Sequence, residues 1–327
     1  MEVQTGKQTG KRTRNGHRNG VLPSESVSLG REPLAQVGLE ALDKQHTRIS
    51  DFVEPVCDHS DVEDIHQMRV ATRRLRTMAH LLETTPAFRR KRVHRLRKQL
   101  QPLADHLGGV RDLDILLETL GEYEHSIEAV DESSETHSAL REDIEQRREK
   151  ALKRLRKTLR LPKTQRLLDR PSEIVKGLVA HNQSAEQLLV RHVAGSALWS
   201  RYEAILRFET EVDGATEASQ LHPLRIACKQ LRYALELFSD DEDPCAKSLL
   251  TTLKEVQTHL GDLQDSVFAI ALLDQLRDDH PDDALLAGFH AAEETRQTSL
   301  LKHFTPLWER ISGAPYRRDL ATFLAAL

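Results

Sequence analysis

Apolar residues recur along this chain every three or four positions, the spacing of one face of an α-helix. Leu34, Val37, Leu39, Leu42 and Ile49 predict a first helix from about Pro33 to Val53. Asp61 is a plausible cap for a second, with Glu63 and Asp64 in its first turn, where the helix dipole favours acids. That helix carries Met68, Ala71, Leu75, Met78 and Leu82 and should end near Glu83, before Pro86. Val93, Leu96, Leu100, Leu103 and Leu107 predict a third helix over 88–107, which Gly108 and Gly109 would stop. Asp112 would then open the next. Residues 122–138 read as a looser segment, and 139–161 as a long, strongly cationic helix. In the second half, Val193 to Leu206 reads as helix with Trp199 and Tyr202 in the core, and Ser239 to Pro244 as a turn. Lys247 to Leu260, before Asp265, and a closing pair of helices from Asp283 to Leu327 complete the prediction. Pro223 suits a first helical turn, which makes His222 an N-cap. The expected class is all-α.

The polar positions repeat as well. Residues 65–76, IHQMRVATRRLR, return as LHPLRIACKQLR at 221–232, aligned without a gap, so that His66 matches His222 156 residues later. At 100° per residue, His66, Arg69, Arg73 and Arg76 fall at about 0°, 300°, 340° and 280°, a band roughly 80° wide. His222, Arg225, Lys229 and Arg232 reproduce it. Like charges three and four positions apart repel, so a helix that gathers them twice points to an anion. A shorter echo sets LGGVRD at 107–112 against LGDLQD at 260–265. Asp112 and Asp265 would cap the helices they open, or else orient an arginine.

Leu, Ala, Glu and Arg abound and aromatic residues make up only 4% of the 327, in keeping with helices throughout. The net charge of −4 argues against a general nucleic-acid binder. Its distribution says more. Between residues 66 and 98 stand eleven cations and one acid, Glu83, a field that would focus an anion. Three cysteines, Cys57, Cys228 and Cys245, without metal spacing suit free thiols in a reducing compartment. No apolar run has the length of a membrane span and the polar start lacks a secretory signal, so a cytoplasmic protein is expected. Residues 1–31 are expected to be a disordered basic tail. The repeat divides the rest into 32–170 and 171–327.

The stretch HQMRVATRRLR at 66–76, the turn LGGVRDLD at 107–114 and KQLRYALE at 229–236 strongly resemble the CHAD family, the conserved histidine α-helical domain. The resemblance runs from about residue 30 to 327. It implies two four-helix bundles related by a pseudo-twofold axis, with a basic pocket between them that binds inorganic polyphosphate. Carried over by position, the binding residues are His66, Arg69, Arg73, Arg76, His222, Arg225, Lys229 and Arg232, joined by Arg97, Lys98 and Lys254. Gln230, Gln264 and Leu250 stand where the first copy has Arg74, Arg111 and Arg97, so the second half is less basic. Many relatives carry a triphosphate-tunnel domain of the CYTH family ahead of this region. None is expected here, where residues 1–31 precede it and no Glu-x-Glu-x-Lys motif occurs.

The residues alone also favour a polyphosphate. From His66 to Arg76 a helix rises about 15 Å, enough to follow several phosphates, and arginine forks suit phosphate oxygens. Scarce aromatics weaken the case for nucleic acid, whose bases would stack on them. Other polyanions such as inositol polyphosphates remain open. A metal site built from the 16 histidines is the rival reading, opposed by the cations around His66. Without a Gly-rich phosphate loop, an activated nucleophile or a cluster of metal-holding acids, no catalysis and no cofactor is expected. Association with polyphosphate granules would follow from polymer binding.

Overall fold

The computed structural model describes residues 29–59, 61–128, 139–210, 212, 217–240, 243–277 and 281–327. The expected basic tail lies outside these up to residue 28, and its last three residues, Leu29–Arg31, form a 3-10 turn. The helices are α1 (Leu34–Asp51), α2 (Val53–Asp58), α3 (Val62–Leu82), α4 (Arg90–Glu128), α5 (Ala139–Leu159), α6 (Pro162–Leu168) and α7 (Pro171–Lys176). They continue with α8 (Gln183–Glu186), α9 (Arg191–Leu206), α10 (His222–Phe238), α11 (Pro244–Arg277), α12 (Ala284–Ser312) and α13 (Ala314–Ala326). No strand occurs among the described residues, only two isolated bridges, Pro33 with Leu189 and Phe88 with Val179. The fold is all-α.

Local signals set several ends. Asp61 accepts from the Glu63 N–H at 2.7 Å and opens α3, which stops before Glu83. The two glycines do not stop α4. It runs for 39 residues, about 58 Å, through Pro102, Gly108 and Gly109. The cause is an unbroken apolar stripe of Leu96, Leu100, Leu103, Leu107, Val110, Leu113, Leu116 and Leu120, all buried. Burying such leucines is worth about 1.5–3 kcal/mol each, more than the cost of about 1 kcal/mol for a helical glycine. α11 likewise passes Gly261 without a break.

Asp112 and Asp265 therefore stand inside long helices and cap nothing. The looser segment expected at 122–138 is helical up to Glu128, and 129–138 lie outside the described residues. His222 is the first residue of α10, and Leu221 occupies the cap position.

One apolar core runs through α1, α3 and the first half of α4 into α9, α10, the first half of α11 and α13. A second joins the far ends of α4 and α11 to α5 and α12. The repeated stretches lie on α3 and α10, and these two helices pack against each other.

Candidate anion-binding site

Met68, Ala71 and Leu75 on α3, and Leu224, Ala227 and Leu231 on α10, are buried in the core. This turns the basic residues of both helices to the other side. There Arg69 donates from Nη2 to Asp112 Oδ1 at 3.5 Å. Arg73 donates from Nε to the Tyr233 hydroxyl at 2.7 Å, and its Cζ lies 5.8 Å from the centre of that ring. Arg74 is 6.0 Å from the same centre and pairs with Glu236 at 3.5 Å. Glu236 also accepts from Arg232 Nε at 2.8 Å.

Charges from the two copies act on one another here. Burial, then the neighbouring cations Arg225, Arg73 and Arg69, pull the Lys229 ammonium down to about 6. Burial, then Arg111, lowers His66. Arg69 and Arg225 are lowered too, chiefly by burial, and stay cationic. Burial raises the carboxyls of Asp112 and Asp265, opposed by Arg69 and Arg225 respectively. His66 Nδ1 and Arg225 Nε are buried and meet no hydrogen-bond partner among the described residues. Half-buried cations held this close raise each other's free energy, and an anion among them would relieve it.

Gly108 and Gly261 precede Asp112 and Asp265 by one turn and so share their helix faces. A Cβ added at Gly108, Gly109 or Gly261 would meet no atom within 4 Å. Open space adjoins these turns.

Of the eleven residues singled out by sequence, His66, Arg69, Arg73, Arg225 and Lys229 come together in this way. The others stand apart. Arg76 donates to Gln101, and Arg232 donates to Gln257 at 3.3 Å. His222 is exposed against Gln264. Arg97 is bound to Glu83, which His94 also holds at 2.9 Å. Lys98 lines a separate cavity, about 21 Å along α4 from Asp112. Lys254 is exposed on α11.

Tyr233 and Glu236 were not foreseen. Tyr233 is the one aromatic in a motif whose first copy has Thr77 at that position, a signal available in the alignment. Four of the eight cations of α5 stand in these ion pairs: Arg148 with Asp114, Arg141 with Glu124, Arg147 with Asp143 and Lys153 with Glu149.

Among the described residues no three His, Cys, Asp or Glu side chains converge to hold a metal ion, and no helix is long and apolar enough to cross a membrane. Cys57, Cys228 and Cys245 are free thiols.

Fold and site together define an all-α protein in which two basic helices, α3 and α10, pack against each other. The family model for the CHAD domain matches residues 40–274, and the chain belongs to that family. The fold is also similar to a crystal structure of the CHAD domain from the plant Ricinus communis, with 22% identity, 91% of this chain and 93% of that one covered and a TM-score of 0.60. PptA from Streptomyces chartreusis is similar at 16% identity, covering 85% of this chain and all of its own, with a TM-score of 0.65. No curated protein matches the sequence.

Proposed function

We propose that this chain binds inorganic polyphosphate without turning it over, at the basic cluster that α3 and α10 share. In this reading the repeat makes two helical bundles related by a pseudo-twofold axis, and the polymer lies between them. The observation that carries it is the convergence of Arg69 and Arg73 with Arg225 and Lys229, one pair from each copy, around a half-buried site where Asp112 and Asp265 offset only part of the positive charge. Arg69, Arg73 and Arg225 would fork onto phosphate oxygens, Lys229 would add a point charge, and Asp112 holds Arg69 in place. A linear polymer that continued past the cluster would meet Arg76 and Arg232 toward the ends of their helices. Membership of the CHAD family supports the same ligand. Association with polyphosphate granules in the cytoplasm follows from such binding.

Calorimetric titration with long-chain polyphosphate at two salt concentrations tests this, with orthophosphate, a short oligonucleotide and zinc as comparisons. Tight, salt-sensitive binding of polyphosphate is expected, with no orthophosphate released on incubation. Preference for zinc or the oligonucleotide, or release of orthophosphate, would overturn it.

A further inference from the structure

A second basic site lies elsewhere on the first half. At the start of α4, Arg90, Lys91, His94, Arg95 and Lys98 line a cavity of about 840 Å³, closed on the other side by Lys163, Thr164 and Leu167 of α6. Its volume is that of a small-molecule site. Pro102 and Leu167 give it an apolar part, and Thr164 is buried.

This cavity gathers exposed cations, Arg90, Lys91, Arg95, Lys98 and Lys163, that have no ion-pair partner among the described residues, whereas most arginines on α5, α10 and α12 are paired. The single acid at the cavity is Glu83, and it is already taken. Burial raises its carboxyl, but hydrogen bonds from Arg97 and His94 outweigh that and hold it below its ordinary value. Glu83 therefore remains an anion bound by those two residues and does not neutralise the five cations.

Nor is the cavity a by-product of the repeat. At the 153-residue offset that relates α4 to α11, Arg90, Lys91, Arg95 and Lys98 correspond to Asp243, Pro244, Ser248 and Thr251, and only His94 matches a base, Lys247, so the second half does not rebuild the cluster. Along α4 it is also remote from the central cluster, with Lys98 about 21 Å from Asp112.

We propose that this cavity is a second, independent anion site that takes a compact ligand bearing three or more closely spaced phosphates. Five exposed cations around one open cavity, none with an ion-pair partner among the described residues, suit a ligand with several negative charges in a small volume. No aromatic side chain lines it to stack a base. The ligand is either a phosphorylated small molecule or the end of a condensed phosphate chain.

Titration of the full chain with tripolyphosphate, inositol hexakisphosphate and orthophosphate tests the site in two variants. In Arg73→Glu/Lys229→Glu, which removes the central cluster, tripolyphosphate or inositol hexakisphosphate should still bind with a stoichiometry near one. Adding Lys98→Glu/Lys163→Glu should weaken that binding at least tenfold, with helicity by circular dichroism unchanged because both lysines are exposed. The milder Lys98→Gln/Lys163→Gln serves if the reversal unfolds the chain. Stronger binding of inositol hexakisphosphate identifies a small organic phosphate, and stronger binding of tripolyphosphate a chain end. Loss of all binding in Arg73→Glu/Lys229→Glu, or no effect of the Lys98 and Lys163 changes, overturns the proposal. A failed central reading would look different: the native chain would bind the probes at one site, sensitive to Lys98 and indifferent to Lys229.

Discussion

Arg73 on α3 donates to the hydroxyl of Tyr233 on α10 across 2.7 Å, so one side chain of the basic stripe is fastened to the opposite copy of the repeat. The bond is one-sided, because the first copy has Thr77 where the second has Tyr233. Tyr233 is buried, 2% exposed, and its ring lies against both Arg73 and Arg74. Tyr233→Phe keeps the ring and its cation–π contact but removes the acceptor. We expect it to lose about 1–2 kcal/mol of stability in denaturant unfolding, and to weaken polyphosphate binding less than loss of Arg73 does. Unchanged stability would mean that the hydroxyl is equally well satisfied by water.

Charge reversal separates the ligand from the fold. Arg73 and Lys229 point away from the core residues of their own helices, so Arg73→Glu and Lys229→Glu should leave helicity almost intact. Each should weaken polyphosphate binding by about a hundredfold, since a charge-assisted contact worth about 1.5–3 kcal/mol gives way to repulsion. The remaining binding should depend less steeply on salt. Equal loss of fold and binding, read by circular dichroism and calorimetry together, would place these residues in the core instead.

Lys229 makes binding pH-dependent. Facing Arg225, Arg73, Arg69 and Asp265, it has a value of about 6 in the folded chain, far below that of a free lysine. Between those two values the unfolded chain holds a proton that the folded chain lacks. Stability therefore rises with pH across that window, and the full cost of the buried cation is felt below about pH 6. A phosphate chain beside Lys229 restores the proton. At pH 7.5 binding should take up protons, and affinity should fall as pH rises from about 6. Titration in buffers of different ionisation enthalpy measures the uptake. Lys229→Arg should bind and lose this share, while His66, also lowered by burial, keeps its own. Heats independent of buffer would refute the coupling.

Periodicity exposed the helices because each has a core face, and the repeat exposed Arg69, Arg73, Arg225 and Lys229 because their spacing is helical. Side-chain partners were less legible. Arg97 and Lys98 are neighbours in sequence, yet one is bound to Glu83 and the other opens into a cavity with α6. Nothing local encodes that α6 borders the same cavity as α4. Asp112 read as a cap only because Gly108 and Gly109 read as a stop, so a single misjudged boundary carried its neighbour with it. The apolar stripe continuing through Val110, Leu113 and Leu116 was the signal that outweighed them.

The same glycines yield the sharpest test of where the ligand lies. Gly108, Gly109 and Gly261 sit inside helices, where glycine costs about 0.5–1 kcal/mol relative to alanine, and an added Cβ would touch nothing. Alanine at any of the three should therefore raise stability by about that amount in denaturant unfolding. If the space beside Asp112 and Asp265 is where phosphate enters, a long side chain there must displace it. Gly108→Leu and Gly261→Leu should keep the stable fold and weaken polyphosphate binding at least tenfold, while Gly195→Leu on α9 should leave binding unchanged. Binding that survives leucine at both positions would move the polymer away from the two aspartates and toward the outer turns of α3 and α10.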